Sequence, residues 1–421
     1  MEIYEHRIVN GLLRELPDVQ TPEAAQQLLA RDVEICVNDR GKNPDDLWPC
    51  VWALAAALSK QFTGEIFVDF PEANEMPCPV KLCKRVILAK PSCADVIRIG
   101  VGVRIGEGQF DFCGDARGGR VTFNGLLERM DVPADPISCF AVAGYLGFAA
   151  LARAVDIPKF NEAYICKDLD LSFDPMVPGP FPADGIAFLG LGQLGQAYLA
   201  LLFFLARKAN CRPFVFLLDK DRFEPANEST QILLEAGKPW CGVGKAGYLE
   251  TVVRGWGWEA KSSSTELDWS FRRSKEFPSL AFLGFDNFEA RRIAMNAGFD
   301  WVVEGGIGTS LAKPRVTWHS LPAKRELGQL LFSDVEKRQQ FIDKEYFETL
   351  RRIPGQCGWF SFKKVEASAP AMGLAAAGYV WAEAKSALGG YAQQVAGMAY
   401  LWPSMLPFRR ESLSLPNENA S

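Results

Sequence analysis

GIAFLGLGQLGQAYLALLFFLARKANCRPFVFLLDKD, residues 185–221, is the stretch whose reading decides the fold. It opens on a short apolar run, Gly185 to Leu189, turns through glycines, continues as an apolar segment over about Gln193 to Ala209, and closes on Phe214 to Leu218. Short apolar runs bounded by turn residues read as buried strands, and the longer segment between them as a helix. Strand, turn, helix and strand make a βαβ unit. Gly190, Gly192 and Gly195 form the turn GLGQLG. Glycines there permit a tight bend and let phosphates approach the N–H groups at the start of the helix. The motif marks a nucleotide site without distinguishing ATP, NAD or FAD. Asp219, at the end of the second strand, lies where a carboxylate accepts hydrogen bonds from a ribose hydroxyl.

The alternation continues outward with a strand at Leu280 to Phe285, a helix at Phe288 to Ala297 and a strand at Trp301 to Val303. Apolar strands alternating with helices predict an α/β fold with a doubly wound, mainly parallel sheet. The first part of the chain repeats the plan in degraded form: strand Val33 to Val37, helix Leu47 to Phe62, and strands Glu65 to Phe70 and Val96 to Val103. Its first turn, NDRGKNPDD, has one glycine where a phosphate-binding turn needs several, so this half is expected not to bind nucleotide productively. A second trace of duplication is AVAGYLGFAALA, residues 141–152, against AAAGYVWAEAKSA, residues 375–387.

Between the halves, LSFDPMVPGPFPADG carries Pro175, Pro178, Pro180 and Pro182, which cannot continue a regular element. The expected domains are 1–176 and 177–421, the second interrupted by an insertion over 322–366. Within it, Ser333 and Glu336 are spaced as a capping box, which predicts a helix. Little order is expected after about Arg410.

With 421 residues the chain exceeds the usual size of one domain. A formal net charge of -5 and a pI near 5.4 give no broad attraction for nucleic acid or an anionic membrane, and neither is expected as a partner. Apolar stretches such as Ala197 to Ala206 and Cys139 to Ala152 fall short of the roughly 20 residues needed to span a bilayer. The N-terminal MEIYEHRIVNGLLRELPD has no apolar core behind a basic start, so a cytoplasmic protein is expected. The 11 cysteines include no CxxC pair, which argues against a disulfide framework and a zinc ribbon.

Three further segments follow the glycine turn in order: DKDRFEPANESTQ at 219–231, GVGKAG at 242–247, and GFDNFEARRIAMN at 284–296. With them the chain resembles the ThiF, MoeB and HesA superfamily, to which ubiquitin-activating enzymes belong, over residues 184–310 and again over 365–390. The family pattern runs GxGGxG, DxDxVxxxNxxRQ, GxxKA and DNxxxR. Carried over, the resemblance implies that Asp219 binds ribose, with Asp221 beside it in the same motif. Asn227 and Gln231 would line the phosphates, Lys245 would contact them, Asp286 would hold magnesium, and Arg291 would brace the Asp286 loop. Taken singly, Lys245 could be a solvated helix-start lysine and Asp286 the N-cap of the next helix. A departure stands at Thr230, where the family has an arginine that neutralises the triphosphate. Arg222 is a local substitute, and Arg7 another, because relatives receive an arginine from the partner half's N-terminal segment.

The resemblance implies two ThiF-like domains in one chain, the first degenerate and the second adenylating the C-terminal carboxylate of a ubiquitin-like protein with ATP and Mg2+. Transfer to a thiol would follow, and Cys357 in PGQCGWF is the candidate, with Cys241 in GKPWCGVGKA as runner-up. A conjugating enzyme would then accept the acyl group. Similar proteins occur in bacterial conjugation operons, some linked to antiviral defence. A homodimer is allowed but not required if the first half supplies the partner surface. Three other readings stay open: a sulfur-carrier adenylyltransferase of the thiamin or molybdopterin type, a dinucleotide-dependent oxidoreductase, and a non-enzymatic binding module in which Thr230 marks lost catalysis. His6 and His319 show no ligand partners in the sequence.

Overall fold

A computed structural model describes residues 7–16, 18–37, 46–91, 96–102, 110–117, 120–123, 133–155, 169–172, 184–235, 238–307, 315–325, 369–388, 395–400 and 409–412. Two helices, α1 (Arg7–Glu15) and α2 (Pro22–Leu29), lead into β1 (Val33–Val37), α3 (Trp48–Gln61), β2 (Ile66–Asp69), β3 (Val86–Ile87), β4 (Ile97–Val101), β5 (Phe112–Asp115), β6 (Arg120–Phe123), α4 (Pro136–Val155) and β7 (Leu169–Ser172). The second series is β8 (Ile186–Leu189), α5 (Gln193–Lys208), β9 (Val215–Leu218), α6 (Lys245–Gly255), β10 (Ala260–Ser263), β11 (Leu280–Leu283), α7 (Phe288–Ala294), β12 (Trp301–Ile307), β13 (Arg315–Pro322), α8 (Pro370–Leu388), β14 (Val395–Tyr400) and β15 (Arg409–Ser412).

The strands form a seven-stranded sheet, β3-β2-β1-β4-β5-β6-β7, and an eight-stranded one, β10-β9-β8-β11-β12-β13-β14-β15. From β3 to β5 and from β10 to β12 every pairing is parallel; the remaining pairings are antiparallel. The same order and directions therefore recur, with β15 added to the second sheet. This is the α/β fold expected from the apolar runs, and β8, β9 and β11 are buried along their whole length. A strand covered on both faces has no reason to alternate polar and apolar residues.

Three helices are apolar on all sides, and helices of that kind must be buried on all sides. Every residue of α3 is buried, as is nearly all of α4 and α5. By length and composition α4 could cross a membrane, yet 89% of its most apolar window is buried inside the protein. The crossing of α4 and α8 is close because both are small-residue helices. A Cβ on Gly144 would lie 2.6 Å from Ala375 N and 2.7 Å from Ala371 O, while one on Gly378 would lie 3.0 Å from Ile137 O and 3.1 Å from Ala141 N. Gln61, at the end of α3, ties the two together: its Nε2 donates to Gly147 O at 2.9 Å and its Oε1 accepts from Ala371 N at 3.1 Å.

Several boundaries differ from expectation. The helix at Phe288 stops at Ala294 because Met295 to Gly298 form turns, and β13 carries the sheet through Pro322, the first residue of the expected insertion. A strand runs to Ser412, two residues beyond the expected limit of order, because β14 pairs with it. The turn NDRGKNPDD, apart from Asp46, and the insertion helix at Ser333 and Glu336 lie outside the described residues, as does His6.

Candidate functional site

The second sheet reverses its winding at β8, with β9 on one side and β11 on the other. At such a switch point the loops leaving adjacent strands part, and a crevice opens beyond their carboxyl ends. The glycine turn lies there. Gly190 has φ +83°, a backbone conformation that L side chains rarely adopt, and its N–H donates to Leu218 O at 2.9 Å. A Cβ on Gly195 would stand 2.2 Å from Gly190 O, and one on Gly284 would stand 2.4 Å from the same oxygen. The start of α5 and the loop after β11 are therefore packed backbone against backbone. A Cβ on Gly192, the N-cap of α5, would meet nothing within 4 Å. The open space thus faces the positive end of a long helix, where an anion is favoured.

Asp219 is buried at the end of β9. Its Oδ2 accepts from Leu191 N at 2.6 Å and its Oδ1 from Asp221 N at 2.8 Å, so the carboxylate fixes the glycine turn. Each oxygen keeps a second lone pair for a hydroxyl. Burial pushes the Asp219 carboxyl above its ordinary range, against the opposing pull of the nearby Lys245 charge and the two N–H groups. Lys245 opens α6 behind Gly244. Its Nζ is 3.3 Å from Asp221 Oδ2, and the Lys245 side chain is 10% exposed against 58% for Asp221. Its being buried beside Asp219 sets aside a solvated helix-start lysine.

Asn227 and Gln231 sit on and just after a 3-10 turn, Pro225–Ser229, and both are buried. The Asn227 side chain accepts from Glu224 N at 3.0 Å, closing a reciprocal capping box. Gln231 Oε1 accepts from Gln196 Nε2 at 2.5 Å, and Gln196 Oε1 accepts from Leu233 N at 3.0 Å. Gln196 on α5 thereby joins this segment to the glycine helix, a role its sequence position gave no sign of. Thr230, in the place of the family arginine, is 1% exposed, and its buried hydroxyl has no hydrogen-bond partner among the described residues. Of the two substitutes, Arg222 is exposed and directs Nη1 to Gly242 O at 2.7 Å, while Arg7 places its amide 3.3 Å from Ser229 Oγ. The first half of the chain thus touches the turn that carries Asn227.

Asp286 is exposed in the loop after β11. It does not cap α7: the N-cap is Asn287, whose side chain accepts from Ala290 N at 2.7 Å. That frees the Asp286 carboxylate, and it makes no hydrogen bond or ion pair among the described residues. The residue before it is held by Arg291, whose Nη2 and Nε donate to Phe285 O at 2.7 and 3.1 Å. Among the described residues no group of three or more His, Cys, Asp or Glu side chains is gathered for a metal. One free carboxylate beside a phosphate cradle still fits Mg2+, which commonly takes one or two carboxylates and completes its shell with phosphate and water oxygens.

Cys357 lies outside the described residues. The chain re-enters at Ala369, whose carbonyl accepts from Gln193 Nε2 of the glycine turn at 2.6 Å, so the insertion returns beside the cradle. Cys241 is an exposed free thiol on the loop before Lys245. Cys50 and Cys139 are wholly buried, and burial raises both thiols far above their ordinary range.

A switch-point glycine cradle followed by the acid pair, the lysine and the aspartate loop in this order defines the E1-like class of α/β proteins. Residues 182–391 match the BilD C-terminal domain. The bacterial E1-like protein BilD of Collimonas sp. (strain OK412) is 28% identical over 206 residues, 47% of this chain and 43% of that protein. The chain thus spans less than half the length of the curated relative it matches. Among solved structures, that of E. coli MccB with ATP is 12% identical over 55% of this chain and 64% of its own, with a TM-score of 0.37. The crystal structure of PaaA is 17% identical over 54% of this chain and 72% of its own, also with a TM-score of 0.37.

Proposed function

We propose that this protein uses ATP and Mg2+ to adenylate the C-terminal carboxylate of a ubiquitin-like protein and then takes the acyl group onto a cysteine. The observation that carries the reading is the cradle itself: the Asp286 loop is packed through Gly284 against Gly190 and Gly195, where phosphates would meet the start of α5.

In the first step a carboxylate oxygen attacks the α-phosphorus, the bond from that phosphorus to the bridging oxygen breaks, and pyrophosphate leaves. Two anions must be brought together, so the step needs fixed positive charge. Lys245 and the N-termini of α5 and α6 supply it from this chain, and Arg7 is the candidate for the charge missing at Thr230. Asp219 and Asp221 would hold the ribose side, Asn227 and Gln231 the phosphates. A magnesium ion held by Asp286 would neutralise the phosphate oxygens.

In the second step a thiolate attacks the acyl carbon and AMP leaves. Cys357 is 12 residues before Ala369, which contacts Gln193 of the cradle, so at most about 40 Å of extended chain separates the thiol from that contact. A conjugating enzyme would receive the product. The first half, whose equivalent turn has one glycine, would serve as the inactive partner surface.

Pyrophosphate exchange into ATP, dependent on a ubiquitin-like protein with a free C-terminus, tests the first step. A thiol-sensitive adduct that Cys357→Ser abolishes while exchange persists tests the second. Binding of NAD in preference to ATP would refute both.

A further inference from the structure

We infer that Glu304 and His319 are positioning residues for the Asp286 loop, acting through Arg291; the inference rests on the reading of Asp286 as the magnesium carboxylate. The Arg291 guanidinium that holds Phe285 O also lies 2.7 Å from Glu304 Oε2, and Glu304 is 1% exposed. Glu304 on β12 stands opposite His319 on β13 in the antiparallel register, and His319 Nδ1 hydrogen-bonds Glu304 Oε1. An ionised carboxylate only accepts, so the histidine nitrogen is the donor. One buried carboxylate therefore hydrogen-bonds a histidine at one oxygen and at the other, which has no hydrogen bond among the described residues, forms an ion pair with the arginine that sets the loop.

Burial works against an ionised Glu304, and the Arg291 and His319 charges with the His319 hydrogen bond outweigh it, holding its carboxyl below the ordinary range. The carboxylate in turn fixes the guanidinium, and the guanidinium fixes the carbonyl immediately before Asp286. On the other side of Asp286 the Asn287 cap fixes the chain. Asp286 is thus bracketed between two anchored neighbours, the arrangement a single carboxylate needs if it is to meet a small cation with strict octahedral demands.

The first half contains the two-membered version of this brace. Arg117 is paired with Asp115 at 2.6 Å on β5 and donates to Gly102 O at 2.7 Å in the loop after β4. Arginine, strand acid and loop carbonyl recur there, and Thr122 stands opposite Asp115 where His319 stands opposite Glu304.

The test is calorimetric binding of ATP to the full chain, with Mg2+ and with chelator, for the wild type, Asp286→Ala, His319→Ala and His319→Gln. His319→Ala is expected to weaken binding with Mg2+ about tenfold, the scale for loss of an outer-shell partner of a metal site, and to leave metal-free binding unchanged. His319→Gln, which keeps an N–H donor for Glu304, is expected to recover most of the loss and carries the test if the alanine variant melts early. Equal weakening with and without Mg2+ would mean general loosening and would overturn the inference. So would a His319→Ala variant matching the wild type while Asp286→Ala loses Mg2+ dependence, an outcome that leaves the adenylation reading standing. Mg2+ dependence unchanged in Asp286→Ala would sink the inference together with the magnesium assignment.

Discussion

The phenolic oxygens of Tyr145 and Tyr379 are 2.8 Å apart where α4 crosses α8, and the two tyrosines are 234 positions apart in the chain. The same offset relates Gly144 to Gly378, Ile137 to Ala371 and Ala141 to Ala375, and each glycine packs on the other helix's pair. Residue and equivalent thus contact each other reciprocally, which is the signature of a two-fold interface between identical subunits, here made inside one chain. The repeated AGY triplet supplies both halves of it: glycine for the approach, tyrosine for the bond.

Because both hydroxyls are buried, removing one deprives the other of this hydrogen bond in the interior. Tyr145→Phe is expected to cost about 1–3 kcal/mol, and Tyr379→Phe a similar amount, while the double variant returns close to wild type. Urea unfolding of the four proteins measures the coupling. Additive losses would show that the hydroxyls do not depend on each other.

Gly192 and Gly195 differ in what surrounds them, and alanine separates their roles. At Gly195 the new methyl collides with Gly190 O at 2.2 Å, so the turn must shift, and both melting temperature and ATP affinity are expected to fall. At Gly192 the methyl enters open space, so the melting temperature is expected to hold while ATP affinity drops. Scanning fluorimetry with and without ATP reads both.

Removing Arg291 leaves the Glu304 carboxylate in the interior without its ion pair, hydrogen-bonded to His319. Arg291→Ala is expected to destabilise by roughly 3 kcal/mol, as broken buried ion pairs do. Chemical unfolding at neutral pH checks the size.

The same carboxylate sets an acid limb. Its folded-state pKa is depressed, so its stabilisation is present above the unfolded glutamate value of about 4.3 and is lost as pH falls through the lower folded value. Melting temperature measured from pH 5 downward is expected to fall more steeply in the wild type than in Glu304→Gln, which has no proton to take up at that position.

Thiol access divides the described cysteines. Cys241 is exposed, whereas burial raises the thiols of Cys36 and Cys113 to about 12 and holds those of Cys50 and Cys139 well above their ordinary range. Brief alkylation of the native protein at pH 7.5 is expected to label Cys241 and spare Cys50 and Cys139 until denaturant is added, as mass mapping of the peptides would show.

The apolar runs and the glycine turn determined the parallel core, because a strand buried on both faces leaves a pattern that needs no partner to be read. The order of Asp219, Asn227, Gln231, Lys245 and Asp286 carried the resemblance to the class, since that order along the chain is read without knowing which strands pair. Only the tertiary structure decided that Asn287 and not Asp286 caps α7, because both are good caps and a shift of one residue in the helix start selects between them. It alone joined Gln193 to Ala369, Gln196 to Gln231 and Glu304 to His319. Those pairs are brought together by sheet register and helix docking, and no local spacing encodes which strand will lie beside which.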